Sequence, residues 1–538
     1  MRSERPQWAL LALVVRRNWR VALAWSLAFA LVVLSTISGY VAAYPHAPER
    51  LRLAADLARS GGLQAVFGRA HEIGTVAGFT AWRTAAVLPL VAGVWGLLAA
   101  TRTLRGEEEA GRAEQVLAGA LTPLRAAATA IAGLLACAAV VWLGATLALL
   151  LDGGLVYGFP LGGTLYLALC LVLPAPLFMA VGALAGELAA TRRLAVTIGA
   201  AVFGASFVLR VAADSTAALG WLHWLTPLGW VEEMRPLAQN RAPGLILIVL
   251  ACAVLFGAAL VLAGRRDIGA GVLASATEAQ PALRLLGSPT ALALRNARGG
   301  MLGWALGLGA AGLMFGLIAH SVAQIAATSS GLRQTASRWG AVNIATAEGY
   351  LGLAFLFVAV AACVYGATQV GATREEESSG RLDTLLCTPV RRSSWLAGRL
   401  LVACACVAAA VLSAAVLGWA GAAAQGSHVP LARMLQAALD AFSPAVLFIG
   451  VGTLLFALAP RVCATLTLGL VAGTFLLELV GAAVKAPPWL LEVSPFHHLS
   501  LAPAAALDGP TTVALLALAV AAASAGVWLF GRRDLAGA

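Results

Sequence analysis

The chain has 538 residues, 60% hydrophobic and only 11% charged. A soluble domain carries about a quarter charged residues, so a string of soluble domains is excluded. No run of short alternating strands supports a closed barrel. The net charge of +11 is read through the positive-inside rule rather than as a nucleic-acid footprint, and no nucleic acid is expected as a partner.

The N-terminal stretch "WALLALVVRRNWR" is amphipathic, and no small-residue cleavage site follows it, so the first span is expected to be retained. Runs near the roughly 20 residues that cross a bilayer predict an all-α polytopic membrane protein with twelve spans. They fall at about 19–41, 79–101, 125–149, 163–187, 194–213, 243–263, 301–322, 349–371, 396–420, 437–459, 462–481 and 511–530. Arg192 with Arg193, Arg265 with Arg266 and Arg532 with Arg533 sit at alternate span ends. This places them in the cytoplasm together with both termini.

The two halves repeat. "GRRDIGAG" at 264–271 returns as "GRRDLAGA" at 531–538, Arg193 corresponds to Arg461, and "TPLGW" at 226–230 to "SPFHH" at 494–498. Six spans per half is an even number, so the halves enter from the same side and are parallel, related by a pseudo-twofold along the membrane normal. The division expected is 1–278 and 279–538.

Between the second and third span of each half lies the densest charge. "RGEEEAGRAEQVLAGALTPLR" (105–125) and "REEESSGRLDTLLCTPVRR" (374–392) align on glycine. Arg105, Glu107, Glu108, Gly111, Arg112 and Glu114 then match Arg374, Glu376, Glu377, Gly380, Arg381 and Asp383. Charge at this density stays out of hydrocarbon, where each central Asp, Lys or Arg costs roughly 2.5–3.5 kcal/mol. A short cytoplasmic helix follows, opened by carboxylates, given an apolar face by Leu117 and Leu382, and ended by Pro123 and Pro389. Topology requires only basic residues, so the duplicated acid–glycine–arginine order reads as a handle for a partner.

This pattern, with two fused six-span halves and "GRRD" ending each, resembles the permeases of ABC transporters of the drug and polyketide-antibiotic exporter type. The resemblance covers nearly the whole chain. It implies the exporter fold, a bacterial cytoplasmic membrane, and coupling helices docked on two copies of a separate ATPase that carries ATP and magnesium. Carried over, Glu107, Glu108, Gly111, Arg112, Glu114, Glu376, Glu377, Gly380, Arg381 and Asp383 would contact those ATPases. The chain itself is not expected to be an enzyme or to bind a cofactor. A phosphate loop needs a lysine after its glycines, and the sole lysine, Lys485, lies in "AAVKAPP".

Outside, 220–239 and 487–503 are rich in aromatics and proline. They suit interfacial or re-entrant helices, or an ordinary aromatic belt. Arg210 and Glu478 each fall late in the fifth span of their half, 268 residues apart. Either they pair across the pathway and gate it, or each snorkels to the outer interface. By family analogy Trp95, Phe203, Phe207, Phe355, Phe357 and Phe475 line a pathway for a bulky apolar compound, although simple core packing produces the same spacing. Glu187 is assigned to a charge cluster at the inner end, and Asp152 and Asp440 to solvated loop ends. The adjacent His497 and His498 make no metal site, and the eight cysteines are read as small apolar packing residues. The expected function is ATP-driven export of hydrophobic or amphiphilic compounds in contact with membrane lipid. The rivals are a proton-driven antiporter and a scaffold that transmits ATPase motion.

Overall fold

The computed structural model describes residues 6–59, 64, 67–69, 71–119, 121–215, 217–273, 285–328, 343–484 and 487–534. Every regular element among them is helical. The chain divides into two compact units, residues 1–280 and 281–538.

The first unit holds the long helices Pro6–Ala43, Val76–Thr103, Pro123–Ala148, Leu161–Leu188, Arg192–Ser215 and Ala242–Ala263. The second holds Pro289–Thr328, Ala347–Ser378, Arg392–Ala424, Leu431–Leu458, Cys463–Val484 and Gly509–Arg532. Eleven of these are long and apolar enough to cross a membrane; Cys463–Val484 is the exception, and its side chains are described only as far as Glu478. In both units the second and fourth long helices are mostly buried, while the first and sixth turn most of their surface outward. That surface is strongly apolar, with Leu27 69% and Leu306 72% exposed. A water-soluble surface avoids apolar patches of this extent, so the solvent it fits is lipid.

Small residues set the closest helix contacts. A Cβ on Gly312 would lie 2.1 Å from the carbonyl oxygen of Ala414, and one on Gly316 2.1 Å from that of Gly418. The first and third long helices of the second unit therefore meet backbone to backbone.

Two helices begin earlier than hydropathy predicts. The first starts at Pro6 rather than 19, and the seventh at Pro289 rather than 301. Arginine ends an apolar run but not a helix, and proline is pre-organised for the first helical turn. The 38 residues of the first helix extend about 57 Å, well beyond the roughly 30 Å hydrocarbon layer, so its arginine-bearing turns reach past the core. The two aromatic segments contain short helices, Ala217–Leu225 with Pro227–Glu233, and Pro488–Leu491. Trp221, Trp224 and Trp489 are exposed there.

Candidate functional site

The two charged segments form corners of one design. In the first unit a turn of helix, Arg105–Glu109, is followed by Gly111 and the helix Arg112–Leu117. In the second, the long helix Ala347–Ser378 carries the carboxylates directly into Gly380 and the helix Arg381–Leu386. Gly111 and Gly380 have φ of 69° and 72°, a left-handed conformation that costs L side chains and that glycine takes freely. The glycine common to the two copies is therefore the corner itself. Thr122, hydrogen-bonded from the Arg125 amide, with Pro123 at the first helical position, starts the next span.

Behind each corner, the two motifs that repeat in sequence meet. Arg266 of the first "GRRD" donates through both terminal nitrogens to Glu108, at 2.6 Å each, and through Nε to Glu187. The Gly269 amide donates to the same Glu108 at 2.6 Å. Arg105 reaches Glu108 at 3.0 Å and the carbonyls of Gly269, Ala270 and Ala190. In the second unit Arg533 and Arg374 converge on Glu377 at 2.9 and 3.0 Å, and Arg392 donates to the Arg533 carbonyl at 2.8 Å. Leucine replaces Glu187 here: Leu455 is its counterpart by the 268-residue offset. Instead, the Arg533 guanidinium lies 5.0 Å from the Phe456 ring centroid. Burial disfavours the charge on Arg266, but the hydrogen bonds of Glu108 and Glu187 outweigh it and raise its pKa. Each latch ties its corner to the end of the last span, and the first ties it also to the end of the fourth.

The residues expected to dock a partner thus separate into two groups. The side chains of Glu108 and Glu377 are 8% and 1% exposed and are spent internally. Glu376 is buried against Arg399 at 2.7 Å, and Glu107 is shared by Arg17 and Arg112 at 2.6 and 2.7 Å. Arg112, Glu114, Arg381 and Asp383 are exposed in both copies. Glu187 does join an ion cluster, although its partner is Arg266 rather than Arg192 or Arg193.

Arg210 and Glu478 each find a partner inside their own unit. Arg210 Nε lies 2.8 Å from Glu232 and 3.4 Å from Asp214; Glu478 lies 3.3 Å from His497. The charge of Arg210 is met by carboxylates of its own unit. Around Arg210 sits a network that the sequence reading missed. His223 bridges Asp214 at 3.0 Å and Glu233 at 3.1 Å, and the Arg69 amide donates to Glu232 at 3.0 Å. Arg235 and Arg241 flank Glu233. Burial opposes charge on His223, yet its two carboxylate hydrogen bonds push its pKa up to about 9. The same imidazole, against burial and with help from Arg235, holds Glu233 below the usual carboxylate range. Asp214, His223 and Glu232 bring ligand atoms within 4.8 Å of one another, but the Arg210 guanidinium bridges two of these carboxylates, which fits an ion-pair network better than a cation site. One signal was available: Asp214 is four residues from Arg210, one helical turn.

Of the aromatic residues assigned to a pathway, Trp95 and Phe355 are buried in the cores of their units. Phe203 and Phe207 pack partly buried beside Leu97, Phe178 and Leu228. Phe357 is 43% exposed, its ring 6.1 Å from that of Phe475. Asp440 is not solvated: it is 6% exposed and accepts the amides of Ser500 and Ala502 at 3.2 and 3.4 Å, anchoring the second aromatic segment. Cys387 is exposed at the end of the second corner helix rather than packed.

These features define a multi-pass helical membrane protein with a latched, charged corner in each of two units. The family described as "Multidrug efflux system permease Rv1217c, C-terminal domain" matches residues 9–262 and 286–531. Over 537 residues the chain is 32% identical to the multidrug efflux system permease protein Rv1217c of Mycobacterium tuberculosis strain H37Rv, across 98% of this chain and 94% of that protein. The chain belongs to this family of multidrug efflux system permeases.

Proposed function

We propose that the chain is the permease subunit of an ATP-driven ABC exporter that moves hydrophobic or amphiphilic compounds, drugs and antibiotics among them, out of a bacterial cell. Two copies of a separate ATPase, with their ATP and magnesium, dock on the two corners. The corners and both termini face the cytoplasm.

The observation that carries this reading is the division of labour at the corners. In each copy an arginine and an acid two residues further on, Arg112 with Glu114 and Arg381 with Asp383, are exposed. The glutamate behind them, Glu108 or Glu377, is buried and locked to the last span. The exposed edge is suited to grip a partner and the buried latch to pass on its movement, because charge-assisted, bidentate hydrogen bonds are strong and directional. We assign docking to Arg112, Glu114, Arg381 and Asp383, and transmission to Glu108 and Glu377.

A proton-driven antiporter has one observation in its favour, the cluster of titratable side chains Asp214, His223 and Glu232. It leaves the duplicated exposed edge without a role. The test is purification from native membranes with associated proteins. Wild type retains an ATPase; Glu114→Arg with Asp383→Arg inserts normally and loses it. Retention of the ATPase by the double variant would remove the docking assignment.

A further inference from the structure

A cavity of ≈ 570 Å³ lies beneath the first corner, inside the first unit. This is the size of small-molecule sites, about 300–1,000 Å³. One wall is apolar, built from Leu10, Leu13 and Val14 of the first span and Ala126, Ala127 and Ala130 of the third. The other wall is charged, with Arg17, Arg102, Arg112 and Arg266 facing Glu107, Glu108 and Glu187. Each of these glutamates is already paired: Glu107 with Arg17 and Arg112, and Glu108 and Glu187 with Arg266. Arg102 donates to the Asn18 side-chain oxygen at 2.6 Å, and no ion pair engages it among the described residues. The lining therefore holds one arginine more than its carboxylates offset.

The second unit fills the equivalent space. There Leu382, Trp395 and Phe530 form one buried cluster, with the Trp395 and Phe530 rings 5.6 Å apart. The repeat places Ala113, Thr129 and Ala263 at these positions in the first unit. All three are smaller, and Ala113 and Ala263 line the cavity. The space thus exists because this half carries small side chains where its sister carries large ones.

We propose that this cavity binds an anionic phospholipid from the adjoining leaflet. Its phosphate sits beside Arg102 and Arg17, and an acyl chain runs along Leu10, Leu13 and Val14. Basic pockets between membrane helices hold anionic head groups in this way, and the apolar wall selects a lipid over free phosphate. Assignment to the cytoplasmic leaflet rests on the topology proposed above; binding itself does not, and it is read without ATP or a partner subunit.

The test uses the full chain in nanodiscs, with lipid retention after detergent extraction quantified by native mass spectrometry. Phosphatidylglycerol is expected to be retained at least tenfold over phosphatidylcholine. Arg102→Gln should lose that preference tenfold. Ala263→Phe, which copies the second unit, should lose retention altogether while helix content and melting temperature stay intact. Equal retention of the two lipids, full displacement by inorganic phosphate, or undiminished binding in a folded Ala263→Phe protein would each overturn the assignment.

Discussion

Replacing Glu108 by glutamine isolates the latch. The substitution keeps the volume and removes the charge. In the wild type this carboxylate receives two hydrogen bonds from Arg266, one from Arg105 and one from the Gly269 amide, all between 2.6 and 3.0 Å. Arg266 retains Glu187 after the change. Arg105, its side chain 1% exposed, loses its carboxylate. Breaking a buried pair from one side costs about 3–5 kcal/mol, and the three backbone carbonyls that Arg105 keeps hold the loss toward the lower end. At roughly 2–4 °C per kcal/mol for a unit of this size, the melting temperature should fall by roughly 10 °C. Thermal unfolding at fixed detergent and pH, followed by fluorescence-detected size exclusion, measures it. Glu114→Gln, on the exposed edge, serves as control and should stay within about 1 °C, as surface substitutions do. In a double-mutant cycle with Arg266→Met, the coupling should exceed about 1 kcal/mol. A Glu108→Gln protein melting with the wild type, together with additive single effects, would refute the latch.

Glu377→Gln should behave alike, since Arg374 and Arg533 both depend on it. Gly111→Ala and Gly380→Ala should each cost roughly 1–2 kcal/mol through the left-handed backbone alone, because nothing lies within 4 Å of the added methyl; the same melting assay reads this. The pKa of His223 is raised from 6.5 to about 9, so its stabilisation is complete below pH 6.5 and is lost as pH rises through 9. The melting temperature of wild type should fall across that window, and His223→Gln should be lower at pH 6 and flat through it.

Much of the architecture was legible because lipid imposes a simple code. Long apolar runs placed the helices, and the repeat of "GRRD" with the acid–glycine–arginine segment located both corners. The meeting of those motifs was not legible: Arg266 and Glu108 lie 158 residues apart, and nothing in linear spacing says that the end of the sixth span folds under the corner. Burial likewise distinguished residues of identical type. Glu108 and Glu114 look equivalent in sequence, yet one is interior and the other faces out. Helix starts were misjudged where arginine interrupts hydropathy without interrupting backbone hydrogen bonds. Asp440 was misplaced because a span-end carboxylate can be satisfied by loop amides as well as by water.

The central claim is that an external ATPase drives this chain through its two corners. Uptake of a hydrophobic fluorescent drug into inside-out vesicles, with ATP and a protonophore both present, tests it most directly. The account predicts undiminished ATP-dependent uptake with the proton gradient collapsed, and no uptake in the Glu114→Arg, Asp383→Arg protein. Uptake that vanishes with the protonophore, or persists in that variant, would contradict it.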